Sequence, residues 1–336
     1  MDKQRLSAIL SRLPDVTILV VGDFFLDNYL IIEHALAERS LETGREAHQV
    51  VQMRCSPGAA GTVTSNLRAM DVAVTALGVV GDDGHGYELT RALKATGVDT
   101  SNLLVRPERF TPTYTKPMLR EVDGAERELE RLDVKNRTPL GAGLEDEIIA
   151  RLRRLAPKVQ AVIIADQVEE RNCGVITDRV RSELAALASA YPAVVFAADS
   201  RERIGLYRNV IIKPNAREAT RAVHPDRTDG LKGEALMACG RVLQQRSGKP
   251  VFLTMGDQGI MIFHDGGTTH VEATPVTGPI DIVGAGDATM AGITAALAAG
   301  ASLAEAAEVG TKAAAVTIKQ IGTTGTATRA AIASAG

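Results

Sequence analysis

The sequence predicts an α/β fold in which a mainly parallel central sheet carries helices on both faces. Short apolar runs, such as 17–22 and 160–165, alternate along the chain with longer segments of helical periodicity. These runs are apolar throughout rather than at every second position, which is typical of strands buried on both faces of a parallel sheet. No internal repeat and no low-complexity linker divides the 336 residues, so we expect a single domain spanning 1–336.

The order of the elements follows from the same periodicities. We expect strands at 17–22, 72–80, 160–165, 193–198, 210–212, 251–254 and 260–263, and helices at 59–70, 87–96, 144–155, 175–190, 285–299 and 303–320. Two polar, alternating stretches, 29–53 and 113–133, interrupt this order and predict a small accessory sheet, although two exposed hairpins fit the pattern nearly as well. The alanine-rich end after Gly322 is predicted to be weakly ordered.

Composition narrows the classes of function. Aromatic residues make up 3% of the chain, tryptophan is absent and the formal net charge is −3, which argues against a nucleic-acid-binding surface. The cysteines Cys55, Cys173 and Cys239 are widely separated, so they predict no disulfide framework and favour a reducing cytoplasm. The six histidines show no zinc-ligand spacing, and no apolar run is long enough to cross a membrane.

The run Asp-Ile-Val-Gly-Ala-Gly-Asp, 281–287, reads as a strand end, a glycine turn and the first turn of a helix. Such a turn presents free N–H groups and the positive end of the helix dipole, which together bind anions. Gly284 and Gly286 allow the backbone to approach the anion closely. A carboxylate beside an anion is repelled unless it takes up a proton, so Asp287 is predicted to be the base in phosphoryl transfer to a hydroxyl. The alternative is that Asp287 caps the helix and the glycines only form the turn.

Two other motifs predict where the hydroxyl compound binds. Asp23 and Asp27 follow the first buried strand, where open α/β sheets bind ligands, and their carboxylates are suitable acceptors for sugar hydroxyls. The small-residue turn containing Gly58 and Thr62 would let a ligand approach the backbone. A purely structural role is the alternative for each motif. The aspartates would form turns, and the small residues would allow tight packing of a helix on the sheet.

Two further motifs predict the nucleotide side of the site. Asn215 and Glu218 follow a lysine and a proline at a strand end, and Glu218 is placed to hold the hydration shell of Mg²⁺ near phosphates. The same spacing is that of a helix capping box. Thr254, Gly256 and Gly259 lie in a strand–turn–strand segment, where Thr254 and Gly256 would contact phosphate or ribose. Taken alone, this segment is a tight hairpin.

In this order the motifs resemble the ribokinase (PfkB) family of carbohydrate kinases, over about residues 14–325. The run 281–287 is similar to the family's Asp-Thr-x-Gly-Ala-Gly-Asp signature, with Ile282 in place of threonine. Asn215 and Glu218 are similar to its Asn-x-x-Glu motif. Within the family, segments such as Thr-Tyr-Thr-Lys at 113–116 are most similar to the bacterial heptose 7-phosphate kinases.

The resemblance implies a ribokinase-like three-layer αβα sandwich. Its small β-sheet, about 29–53 and 113–133, would form a lid over the sugar and the contact of a homodimer. The resemblance also implies ATP and Mg²⁺, and a sugar or sugar phosphate as the small-molecule partner. It leaves open whether a monovalent cation supports the anion turn. Neither nucleic acid nor membrane is expected as a partner.

The motifs and the resemblance together predict the site residues. Asp287 would be the catalytic base, and Gly284, Ala285 and Gly286 would stabilise charge on the transferring group. The residues predicted to bind the sugar are Asp27, Asp23, Gly58, Thr62, Lys116 and Asp166. The residues predicted to bind the nucleotide are Asn215, Thr254, Gly256, Gly259, Asp281 and Thr311. Those predicted to hold Mg²⁺ through water are Glu218 and Asn215.

Besides Ile282, other positions depart from the pattern of the related kinases. Thr62 stands where asparagine is usual, Glu169 where heptose kinases have lysine, and Thr311 where asparagine is frequent. These departures leave the kinase chemistry in place and the sugar open, as heptose 7-phosphate, ribose, fructose or a related sugar. A non-catalytic regulator that binds a sugar or nucleotide is the alternative from another class. The chain has no Walker loop, and its first strand lacks the glycine pattern of a nicotinamide dehydrogenase.

Overall fold

A computed structural model describes residues 1–121, 124–322 and 324–335. In chain order, its strands are β1 Thr17–Gly22, β2 Phe24–Glu33, β3 Glu38–Arg39, β4 Glu46–Ala47, β5 Val50–Ala59, β6 Ala73–Gly81, β7 Asp99–Arg106, β8 Thr113–Arg120, β9 Glu126–Glu128, β10 Leu132–Val134, β11 Ala161–Asp166, β12 Val195–Ser200, β13 Ile211–Ile212, β14 Val251–Thr254, β15 Ile260–His264 and β16 Gly267–Val271. Its α-helices are α1 Lys3–Arg12, α2 Ala60–Ala69, α3 Gly84–Ala95, α4 Ala142–Leu155, α5 Asp178–Ala190, α6 Ala216–Val223, α7 Gly233–Ser247, α8 Ala285–Ala298, α9 Leu303–Thr317 and α10 Arg329–Ser334.

The central sheet has the strand order β16-β15-β14-β13-β12-β11-β1-β6-β7. Every neighbouring pair from β14 to β7 is parallel, and only β15 runs antiparallel to its neighbours. The direction in which the chain adds strands reverses at β1, which lies between β11 and β6. Open α/β sheets bind ligands at the carboxyl ends of the strands beside such a reversal. The topology therefore places the candidate site at the ends of β1, β11 and the strands that follow.

Successive residues of β1 point into two different hydrophobic cores. Ile18 and Val20 belong to the core that includes buried residues of α1, α2, α3, α8, α9 and α10. Leu19 and Val21 belong to the core that includes buried residues of α4, α5, α6 and α7. Because both faces of the sheet are covered by helices, the predicted three-layer αβα sandwich is confirmed.

A second, smaller sheet has the order β10-β8-β2-β5, with β9 paired to β8. Its β2–β8 pair is parallel and the other pairs are antiparallel. Its strands extend beyond the expected stretches, because β2 begins at Phe24 and β5 continues to Ala59. Asp27 and Gly58 consequently lie within this sheet and not in the loops after central strands. The small sheet starts directly after β1 and so stands beside the candidate site.

Some elements differ from those that the sequence predicted. Periodicity missed β7, β16 and α7. The predicted weakly ordered end was wrong, because residues 329–334 form α10 and Ile332 is fully buried in the core that contains α1. Over the residues that the structure describes, no helix combines the length and hydrophobicity that a membrane span requires.

Candidate active site

The turn that opens α8 has the geometry that its glycines predict. Gly284 has a φ of 80° and a ψ of −2°, the left-handed conformation that glycine adopts without steric cost. A Cβ atom at this position would lie 3.1 Å from Thr324 Cγ2 and 3.4 Å from Thr62 Cγ2. A larger residue would therefore strain the backbone and displace two neighbours. Glycine at 284 maintains the position of the helix N-terminus.

One backbone N–H group of this turn is hydrogen-bonded within the protein, and two others are available to a ligand. The Ala285 N–H donates to Ile282 O at 3.2 Å. The N–H groups of Gly286 and Asp287 have no acceptor among the described residues, as expected for the first turn of a helix. These two donors, together with the helix dipole, are the part of the turn that is available to an anion.

Lys213 is a buried cation directly after β13. Its Nζ atom lies 2.9 Å from Asp199 Oδ2, and only 5% of its side chain is exposed. A Cβ atom on Gly286 would lie 3.7 Å from Nζ, so the ammonium group faces the anion turn. Burial lowers the pKa of Lys213, but the charges of Asp199 and Glu218 outweigh burial and raise it overall. Lys213 is consequently a fixed positive charge beside the turn.

Two carboxyl groups near this lysine have raised pKa values. Burial, followed by the charge of Asp199, raises the pKa of Asp287 to about 7, although Lys213 and Arg201 act in the opposite direction. Burial and Asp199 also raise the pKa of Glu218 to about 7. The carboxyl groups of Asp199, Asp287 and Glu218 thus all interact electrostatically with the buried Lys213 ammonium group. A carboxyl with a pKa near 7 is suited to accept a proton at neutral pH.

The structure contains the helix capping box that was the alternative to a metal-binding role for Glu218. Asn215 Oδ1 accepts the Glu218 N–H at 2.9 Å, and Glu218 Oε2 accepts the Asn215 N–H at 2.8 Å. No group of three or more histidine, cysteine or acidic side chains in the described part of the chain is arranged to bind a metal directly. Glu218 and Asn215 carry oxygen atoms of the kind that a hydrated Mg²⁺ ion contacts through its water molecules.

The inner face of the small sheet carries the predicted sugar-binding residues Asp27 and Lys116. Lys116 Nζ lies 3.1 Å from Asp27 Oδ1 and donates to the Tyr29 hydroxyl at 3.1 Å. A Cβ atom on Gly58 would come within 2.6 Å of Asp27 Oδ2, so glycine keeps space beside this carboxylate. The charge of Asp27 contributes to the raised pKa of Asp287. These two carboxylates, one on the small sheet and one at the start of α8, therefore face the same region.

The structure does not leave Asp23 available to a sugar. Its Oδ1 accepts the Val175 N–H at 2.7 Å, and its Oδ2 accepts the N–H groups of Gln167 and Val168 at 2.8 and 3.0 Å. Burial and the charge of Asp166 raise its pKa to about 6. Asp23 fixes the segment after β11 to the end of β1, which is a structural use of the carboxylate.

The Asp166 side chain is also occupied within the protein. It is buried, with Oδ1 2.7 Å from Arg203 Nη2 and Oδ2 accepting from the hydroxyls of Ser200 and Tyr207 at 2.6 and 3.2 Å. This network connects the ends of β11 and β12. Because Asp23 and Asp166 hold loops, the expectation that both contact the sugar does not agree with their hydrogen bonding.

A groove of about 1330 Å³ beside α6 fits the predicted nucleotide side. Asn215, Thr254 and Gly256 line it together with the cations Arg217 and Lys232. The remaining predicted nucleotide residues have other surroundings. Gly259 forms the β14–β15 turn at a φ of 82°, Thr311 Oγ1 contacts Thr274 Oγ1 at 3.3 Å, and Asp281 Oδ1 accepts the Val283 N–H at 3.0 Å within the anion turn.

Sequence reasoning did not select Lys213, Asp199 or Arg201 as site residues. The position of Lys213 directly after the apolar run at 210–212 could have identified it, because this position predicts a buried ammonium group. A buried charge is costly unless it is paired, so an acidic partner was to be expected. The run Asp199-Ser-Arg201 approximates an Asp-Pro-Lys segment of the family, but its role at the turn depends on β12 and β13 lying side by side.

The αβα fold, the anion turn and the raised carboxyl pKa values define a kinase-type site, and comparison with known proteins gives its family. The family model described as pfkB family carbohydrate kinase matches residues 26–330, so the chain belongs to that family of phosphotransferases, whose members use ATP and sugar hydroxyls.

Among individual relatives, the bifunctional protein HldE of Geobacter metallireducens is 29% identical over 330 residues, which cover 96% of this chain and 64% of that protein. HldE of Hyphomonas neptunium is 30% identical over 322 residues, which cover 95% of this chain and 63% of that protein. This chain therefore spans less than two thirds of the length of these relatives.

Solved structures share the fold. Arabidopsis thaliana ribokinase complexed with ribose and ATP has a TM-score of 0.69 at 18% identity, covering 94% of this chain and 97% of that one. Phosphofructokinase-2 from Escherichia coli in complex with potassium has a TM-score of 0.70 at 17% identity, with the same coverage of 94% and 97%. At these identities the likeness concerns the fold alone.

Proposed function

We propose that this protein transfers the γ-phosphate of ATP to a sugar hydroxyl, with Asp287 as the base. The observation that carries the proposal is the carboxyl of Asp287, with a pKa near 7, in the first turn of α8 beside free N–H donors. These donors stabilise negative charge while Asp287 takes up the hydroxyl proton. Adjacent residues would thus supply both the base and the stabilisation of charge that the reaction requires.

The surrounding residues support an arrangement for the two substrates. Asp27 and Lys116 would orient the acceptor from the small sheet, and closure of that sheet as a lid would exclude water. Lys213 faces the anion turn and would neutralise charge on the transferring group. The groove lined by Asn215 and Thr254 would hold the nucleotide.

Metal ions complete the proposed site. Mg²⁺ would be held through water by Glu218 and Asn215, and it supplies charge neutralisation for the phosphates. The excess of carboxyl groups around Lys213 supports a cation there. A monovalent cation near the Asp281 turn is a further part of the proposal, since the phosphofructokinase-2 of similar fold was solved with potassium.

The acceptor remains the open part of the proposal. Similarity to HldE and to the heptose kinase segments supports heptose 7-phosphate, whereas Thr62 and Glu169 favour other sugars. ADP release should be measured with heptose 7-phosphate, ribose, fructose and fructose phosphates as acceptors. Sugar-dependent ADP release supports the kinase. Sugar-induced thermal shifts without any turnover would instead indicate a binding regulator.

The activity is expected to rise with pH through about pH 7. The base must be ionised, and its pKa is raised from 3.8 to about 7, so kcat/KM should increase as pH rises from 5.5 to 8. Glu218 titrates in the same range, and a Glu218→Gln variant separates the two groups. Since Glu218 is not among the main charges acting on Asp287, the rise should persist in this variant. Loss of the rise would assign it to Glu218.

Glu218→Gln is also expected to weaken the use of Mg²⁺. Removing a charge that holds the metal's hydration shell should increase the Mg²⁺ concentration for half-maximal activity by about 10-fold or more. The glutamine retains an acceptor oxygen for the Asn215 N–H, so the capping box should persist. Initial rates over a Mg²⁺ titration at saturating ATP provide the measurement. An unchanged Mg²⁺ requirement would remove Glu218 from the metal site.

The small sheet would also provide a dimer contact in a cytoplasmic enzyme. Large apolar side chains are exposed on or beside it, namely Leu36, Leu41, Val50, Val51, Met53 and Leu132. Exposed apolar groups of this kind are typical of protein interfaces.

The three cysteines are all free, which agrees with a reducing compartment.

A further inference from the structure

Glu169 occupies the centre of a small group of charges at the edge of the candidate acceptor site. Its carboxylate lies 3.5 Å from Arg201 Nη1 and 3.9 Å from Lys135 Nζ. Lys135 directly follows β10 of the small sheet, whereas Arg201 follows β12 of the central sheet. Two cations from different sheets thus converge on one carboxylate.

Two observations relate this group of charges to the proposed site. The Arg201 guanidinium that approaches Glu169 also acts on the carboxyl of Asp287, whose pKa it lowers. Glu169 further shares a crevice with Tyr114, which is the register partner of Asp27 in the β2–β8 pair. Glu169 therefore lies next to the strand pair that carries Asp27, and its partner Arg201 lies within electrostatic range of Asp287.

Three further cations on or beside the described part of the small sheet are also paired with carboxylates. Lys116 is paired with Asp27 at 3.1 Å, Arg54 with Glu126 at 2.6 Å and Arg131 with Asp133 at 2.7 Å. The Arg131 guanidinium lies over the Tyr114 ring at 4.4 Å, which places its pair next to the same crevice. A phosphate group that approached one of these three cations would compete with the carboxylate already paired with it.

From this arrangement, which rests on the proposed kinase function, we propose that Glu169 selects an acceptor without a phosphate group at its distal end. The carboxylate occupies the position between Lys135 and Arg201 that a phosphate dianion would otherwise take. Bringing like charges together costs binding energy, so a sugar phosphate is disfavoured relative to the neutral sugar. The same two cations become available to a phosphate once Glu169 is neutral.

A Glu169→Gln variant tests this selection without endangering the fold. The Glu169 side chain is 47% exposed, and exposed ion pairs contribute little to stability. Glu147→Gln provides the matched control, because the Glu147 side chain on helix α4 is 48% exposed, is paired with Arg106 and does not line this crevice. The three proteins should be assayed with matched acceptors, such as ribose with ribose 5-phosphate and fructose with fructose 6-phosphate.

The wild type and Glu147→Gln should have higher kcat/KM with the unphosphorylated sugar. In Glu169→Gln the ratio of phosphorylated to unphosphorylated kcat/KM should rise by about 10-fold, with an unchanged KM for ATP. A wild-type preference for the phosphorylated acceptor, or an unchanged ratio in Glu169→Gln, would overturn the inference.

A binding measurement separates failure of this inference from failure of the kinase proposal. If no acceptor supports turnover, the kinase proposal fails, and calorimetric titration with the same sugar phosphates still tests Glu169. Tighter binding to Glu169→Gln than to wild type by about 10-fold supports the selection. Equal affinity contradicts it.

Discussion

Replacing Asp287 with asparagine is expected to lower kcat by about 10²–10⁴-fold, the range typical of a lost general base. The amide has nearly the same shape as the carboxyl group but cannot accept the hydroxyl proton. The N–H groups of Gly286 and residue 287 remain in place, so ATP affinity should change little. ADP release with the preferred sugar and calorimetric titration with ATP measure the two effects separately.

The stability of the Asp287→Asn variant distinguishes lost chemistry from lost folding. A carboxyl whose pKa rises from 3.8 to about 7 on folding destabilises the native state increasingly as pH rises through that interval. The uncharged amide removes this penalty, so the variant should melt at a higher temperature than wild type at pH 8. Asp226→Asn, on an exposed surface segment, serves as the control with unchanged turnover. Turnover of Asp287→Asn within tenfold of wild type would contradict its role as the base.

Replacing Lys213 with methionine is expected to reduce both stability and activity. The substitution leaves Asp199 buried without its partner at 2.9 Å, and breaking a buried ion pair in this way typically costs about 3–5 kcal/mol. The pKa of Asp287 should rise further, because Lys213 is the largest favourable charge acting on it. The kcat/KM profile should therefore move to higher pH. Urea unfolding and the pH–rate profile provide the measurements.

A double variant tests whether the lost stability originates in the unpaired carboxylate. Lys213→Met combined with Asp199→Asn removes both charges, so it should recover a large part of the stability that the single change loses. Activity should remain low because Asp287 and the anion turn still lack the ammonium group. A single variant whose free energy of unfolding stays within about 1 kcal/mol of wild type would contradict the structural role of the pair.

The central strands were predictable because burial on both faces leaves uninterrupted apolar runs such as 17–22 and 160–165. Elements with weaker patterns were missed. The strand β7 spans Asp99–Arg106, where buried and exposed residues mix and polar residues interrupt the apolar pattern. The short helix α10 is stabilised by burial of Ile332 in the core that contains α1, a long-range contact that local composition does not encode.

The site, like the fold, was predictable where it depends on the local chain and was missed where it depends on contacts between distant segments. The anion turn was recognisable because Gly284 and Gly286 meet a backbone requirement that belongs to the local chain. Asp23 and Asp27 looked equivalent in sequence, each a carboxylate shortly after β1. In the structure, Asp23 accepts three N–H groups from the segments after β11, whereas Asp27 lies in β2 opposite Lys116. Contacts with distant segments thus give Asp23 a structural role, whereas Asp27 stays a candidate for sugar binding.

The sequence by itself determined the layered α/β fold, the anion turn and the position of Asp287, because each depends on periodicity or on backbone conformation within a short segment. Only the tertiary structure decided the electrostatics of the site. It brought Asp199, Arg201 and Lys213 beside Asp287 from distant parts of the chain, and their charges, together with burial, act on its proton affinity through space. It also placed Glu169 between cations of two sheets, an arrangement that chain order does not contain.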